Sequence, residues 1–209
     1  MDENCGLARA VSIMGASLAI ALYGAISTSE AAASSTQSSA FAEALISAER
    51  SPEITAAEDI YAPLLGSWNV EARDRTDDGT FKVTHGEWLF ARTLEGRAVQ
   101  DVWIAPSRPN RSADTTRVAN RYGSSLRTFD PKARRWQVTW LNPVTGAFNV
   151  LFTHMEGKRI VQEGQLGAGQ RIRWIFEEIT PDSFHWTGES QQPDGSWRLD
   201  AEFFGRRRS

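Results

Sequence analysis

The residues able to do chemistry here are three histidines and a set of arginines and acids placed between aromatic side chains. His185 stands between Phe184 and Trp186, and an imidazole titrates near neutrality, as proton transfer requires. Arg127 or Arg173 could stabilise an anionic intermediate, and Asp101 or Glu87 could orient the imidazole. Taken together, His185, Arg127, Arg173 and Asp101 are the candidate catalytic residues of a cofactor-independent lyase, isomerase or hydratase acting on an apolar substrate. His85, His154 and His185 are scattered and have no cysteine companions, so they make no zinc spacing and no metal site is expected. No nucleophile elbow, P-loop or dinucleotide fingerprint points to another enzyme class.

Eight tryptophans in 209 residues are the compositional anomaly. Each is a large apolar body with one N–H. Trp103, Trp140, Trp174 and Trp186, with Asn149 and Glu189 on the same or neighbouring strands, are the candidate contacts for a small apolar or aromatic ligand. The same rings are equally able to fill a core. A net charge of −3 gives no basic face and argues against nucleic acid as a partner.

Residues 11–26 are an uncharged apolar run, short for a membrane span and suited to a signal peptide, and Ala31-Ala32-Ala33 offers a small-residue cleavage site. The expected organisation is a signal peptide at 1–33, a linker with a possible short helix at 34–60, and a folded domain at 61–209. Cleavage removes Cys5, the sole cysteine, and leaves a mature chain without thiols or a stable membrane span; the alternative is a retained, uncleaved N-terminal anchor. A periplasmic or secreted location follows from that reading. Asp59, Ile60, Tyr61, Leu64 and Leu65 are spaced for one amphipathic turn that plugs a barrel end.

What must position the candidate side chains is a series of short alternating runs between turn signals. They fall at residues 67–75, 80–91, 97–105, 124–129, 135–141, 147–155, 159–165, 171–178, 183–190 and 197–204. Asp77-Asp78-Gly79 and Pro193-Asp194-Gly195 read as tight turns, and 106–120 reads as a long loop or flap. Hairpin follows hairpin with almost no helix between. This predicts an all-β fold, an antiparallel up-and-down β-barrel of about ten strands with a short N-terminal helical turn.

Gly66-Ser67-Trp68, opening the first strand after that turn, resembles the G-x-W start of lipocalins and their calycin relatives, nitrobindin-like barrels among them. The blocks LLGSWNVEARDR (64–75), LRTFDPKARRWQVTW (126–140), RIRWIFEEITPDSFHW (171–186) and DGSWRLDAEFFGRRR (194–208) are similar to a bacterial family of lipocalin-like domains without an assigned function. The resemblance implies that Trp68 packs at a closed barrel end under an arginine from the last strand, Arg198 or Arg206. It also raises haem as a cofactor, with His154 or His185 as its ligand, although the residues themselves require none. Three functions follow as alternatives: ligand binding in the lumen, acid–base catalysis by a lumen histidine and arginine, or protein contact through the outer surface of a barrel whose lumen is filled by its own tryptophans.

Overall fold

The computed structural model describes residues 39–112, 121–167 and 169–208. The expected signal peptide and residues 113–120 of the 106–120 loop lie outside the described residues. The alternating runs form ten antiparallel strands: β1 (Gly66–Arg75), β2 (Phe81–Thr93), β3 (Ala98–Ala105), β4 (Arg121–Asp130), β5 (Arg135–Asn142), β6 (Ala147–Glu156), β7 (Arg159–Leu166), β8 (Gln170–Glu177), β9 (Ser183–Gln191) and β10 (Trp197–Arg207). Each pairs with its sequence neighbours, and β1 pairs with β10 to close the barrel. Among the described residues, closure leaves the sheet without an edge strand. Among the described residues, no helix is long and apolar enough to cross a membrane.

Closure also decides which parity faces inward. Trp68, Trp88 and Trp103 lie side by side in register on β1, β2 and β3. Trp186 sits between Phe176 of β8 and Phe203 of β10. All six are buried. The inner wall is therefore aromatic, and burying such large side chains is the main source of stability in a small barrel.

Two strands are longer than the sequence pattern indicates by three residues or more. β4 starts at Arg121 and β10 runs to Arg207, and each includes an inward glycine that reads as a strand end. A Cβ on Gly123 would lie 2.3 Å from the Trp140 ring, and one on Gly205 2.3 Å from the Phe184 ring. These glycines are seats for aromatic rings on neighbouring strands, not chain breaks.

One end of the barrel is closed by the chain that leads into it. Ile46 bridges to Thr93, and Ser51 and Ile54 are buried. A short 3-10 turn, Ala62–Leu64, follows. Tyr61 and Leu64 are fully buried. The Tyr61 hydroxyl lies 2.7 Å from Thr153 Oγ1 and accepts a hydrogen bond from Gln162 Nε2 at 2.9 Å. Burial pushes this phenol up, against the opposing pull of the nearby Arg127 charge, so it stays protonated.

Trp68 is fully buried at the same end and donates Nε1–H to the Leu64 carbonyl at 2.7 Å. The arginine over it is Arg207, 4.1 Å from the ring, and not Arg198 or Arg206. Arg207 is the β10 residue in register with Trp68. Arg198 pairs instead with Asp200, and Arg206 is exposed. Arg207 also donates to the carbonyls of Leu65, Pro63 and Pro181. Gly66 is required beneath it: its φ is +114°, and a Cβ there would approach Arg207 Nη1 to 2.7 Å.

On the outer wall, Glu87 is buried and accepts hydrogen bonds from the Arg108 backbone N–H, from Arg108 Nε and Nη2, and from Arg208 Nη1. These donors hold its carboxyl down at about 2, the Arg108 side chain contributing most. A depressed carboxylate stabilises the fold fully above its unfolded value near 4.5 and loses that contribution as pH falls toward 2. Glu87→Gln is expected to remove about 2 kcal/mol at neutral pH, solvent around the exposed Arg108 screening the rest. Urea midpoints of wild type and variant should converge as pH drops below 4; a constant gap across that window would refute the assignment.

Candidate functional site

The lumen is not filled. Toward the end opposite Tyr61 it holds a cavity of about 210 Å³. Its walls are Trp88, Trp103, Trp140, Trp174 and Trp186 with Phe203. The indoles form an unbroken series: Trp140 to Trp174 at 6.1 Å, Trp174 to Trp186 at 6.1 Å, Trp186 to Trp88 at 6.0 Å, and Trp88 to Trp103 at 5.6 Å between ring centroids. Phe203 stacks on Trp103 at 4.9 Å and contacts Trp186 at 4.5 Å. Edge-to-face and offset contacts of this kind hold each ring in one orientation.

Two arginine–aspartate pairs supply the polarity. Deep in the cavity, Arg127 Nη1 donates to Asp101 Oδ2 at 2.6 Å, both residues being 1% exposed or less. The Ser125 backbone N–H donates to the other carboxylate oxygen at 3.0 Å. The Arg127 guanidinium lies 5.1 Å from the Tyr61 ring and 5.4 Å from the Phe90 ring, so the closing segment and the cavity meet at this one charge. At the rim, Arg121 on β4 crosses to β1 and β2, donating to Asp74 Oδ1 at 2.9 Å and Thr84 Oγ1 at 3.0 Å above the Trp103 ring.

The structure divides the candidate catalytic set. Arg127 and Asp101 meet in the lumen, but His185 and Arg173 are on the outer wall, because Phe184, Trp186 and Trp174 take the inward positions of β9 and β8. His185 lies between two carboxylates, Nδ1 3.3 Å from Glu177 and Nε2 3.3 Å from Glu202, with its ring stacked on Phe204 at 4.7 Å. Arg173 pairs outside with Glu189 and covers Trp197 at 4.3 Å. The expected lumen histidine with its arginine is therefore not assembled. His154 lies on the outer wall beside Glu156, and His85 is exposed, so no histidine is placed to ligate haem in the lumen. Among the described residues, no cluster of three His, Cys, Asp or Glu is arranged for a metal ion.

Of the candidate ligand contacts, Trp103, Trp140, Trp174 and Trp186 line the cavity. Asn149 shares the inner parity, opposite Trp140, outside the cavity lining. Glu189 is on the outer wall with Arg173. Sequence reasoning missed Trp88, Phe203, Ser125 and the rim residues Asp74, Arg121 and Asn142. The Gly86-x-Trp88-x-Phe90 alternation carried a usable signal for Trp88. The rim residues carried none, because they sit where strands run out into polar loops.

No family model matches the chain, and no curated protein matches it. Solved structures do. The S-type phycobiliprotein lyase CpeS from Guillardia theta superposes with a TM-score of 0.50 at 11% identity, over 75% of this chain and 95% of that one. Rv2717c from M. tuberculosis gives a TM-score of 0.50 at 12% identity, over 75% of this chain and 99% of that one. At such identities the likeness is one of fold alone, a closed antiparallel barrel of ten strands.

Proposed function

We propose that this protein binds one small apolar or aromatic molecule in its tryptophan-lined lumen, and that the 1–33 segment exports it to the periplasm or beyond. The observation that carries this reading is the cavity of about 210 Å³ walled by five indoles. An apolar protein cavity of about 150 Å³ takes one benzene, whereas drug-sized ligands occupy about 300–1,000 Å³. The cavity thus suits one mono- or bicyclic ring and is small for a tetrapyrrole such as haem. Acid–base catalysis loses support because its proton carrier, His185, lies on the outer wall.

Naphthalene is a probe of the right size. Its titration is expected to change tryptophan emission saturably, since any molecule in the cavity touches indole rings. Ala201 lines the cavity with its methyl group, so Ala201→Phe fills the space and is expected to weaken binding by roughly tenfold or more. Absence of a saturable change in wild type, or one that Ala201→Phe leaves untouched, would rule out lumen binding.

A further inference from the structure

The polar groups that line the cavity are short of hydrogen-bond acceptors but not of negative charge, and the unpartnered acceptor Gln162 Oε1 lies outside that lining. Two N–H groups on cavity-lining residues, Arg127 Nε and Trp88 Nε1, are buried without a partner among the described residues. Arg127 is 1% exposed and always charged, and among the described residues its Nη1 donates to Asp101. The rest of the guanidinium lies against the rings of Tyr61, Phe90 and Phe176. Its charge is already balanced by Asp101, as that of Arg121 is by Asp74.

A buried donor without an acceptor is costly, so an oxygen supplied by a ligand adds affinity there. The kind of oxygen matters. A carboxylate would place a second anion beside a pair that is already neutral, leaving an uncompensated charge among apolar rings. A carbonyl oxygen accepts hydrogen bonds without that penalty. The geometry points to a neutral ring compound bearing a carbonyl group, an aromatic ketone, aldehyde or amide, held with its ring among the tryptophans and its oxygen toward Arg127. This rests on the lumen-binding reading and specifies its ligand class.

Three probes sharing one ring system test it: naphthalene, 2-acetylnaphthalene and 2-naphthoate, each measured by equilibrium dialysis. The ketone is expected to bind wild type about tenfold tighter than naphthalene, the return on one hydrogen bond to a charged donor, and tighter than the acid. The double variant Asp101→Asn/Arg127→Met removes the guanidinium without stranding a carboxylate. There the ketone's advantage over naphthalene, both measured on the same variant, should be lost. Trp88→Phe, which removes the other unpartnered N–H together with the five-membered part of the indole, should trim the ketone's advantage over naphthalene measured in the same variant and decides the matter if the double variant fails to fold. Equal binding of ketone and naphthalene, or tightest binding of the acid, overturns the carbonyl assignment while lumen binding stands. Failure of all three probes to bind overturns both.

Discussion

Asp101→Ala is expected to destabilise the barrel by about 3–5 kcal/mol, the cost of breaking one side of a buried ion pair. Asp101 is fully buried and holds both Arg127 Nη1 and the Ser125 backbone N–H. Without it, a permanent charge remains among Tyr61, Phe90 and Phe176 with no anion beside it. The loss is larger than the worth of the pair itself, because replacing both partners with apolar groups of similar size is often neutral or stabilising. Asp101→Leu combined with Arg127→Met should therefore recover most of the stability that Asp101→Ala loses. Urea unfolding of the three proteins measures this directly. A cost below about 1 kcal/mol for Asp101→Ala would mean that Arg127 behaves as a solvent-screened surface charge.

Trp68→Ala carries a comparable cost, about 3–5 kcal/mol for a fully buried indole. Here the effect is one of volume and closure. The ring packs edge-on against Phe184 at 4.8 Å, caps the Leu64 carbonyl, and lies beneath Arg207. Arg207→Ala should cost less in its cation–π contact, about 0.5–2 kcal/mol, although it also releases three backbone carbonyls. Since Arg207 acts partly through Trp68, the two losses should not add: Arg207→Ala in the Trp68→Ala background should cost less than in wild type. Full additivity in thermal or urea unfolding would show that Arg207 ties the chain ends independently of the ring.

The strands were legible because period-two alternation and Gly- or Pro-containing turns are local properties, and β5, with Trp136, Val138 and Trp140, shows how clear they can be. Which face is inside is not local. In β9, Phe184-His185-Trp186 alternates equally well with either face inward, and only pairing with Phe176 and Phe203 on both sides settles it. The placement of His185 and Arg173 turned on that ambiguity. Arg127 and Asp101 are 26 residues apart in sequence and meet because β3 and β4 are neighbours. Their pairing comes from register, which no single segment encodes. The choice of Arg207 over Arg198 or Arg206 has the same origin, its position opposite Trp68.

The unbroken series of indoles from Trp140 to Trp103 has a photophysical consequence. At these separations electronic excitation passes between rings before it is emitted, so the wall behaves as one antenna and not as five independent chromophores. A quencher touching any one ring drains excitation from the others. Emission from this wall would be depolarised even in a rigid, immobilised protein, and occupancy of the lumen would be visible without any added dye.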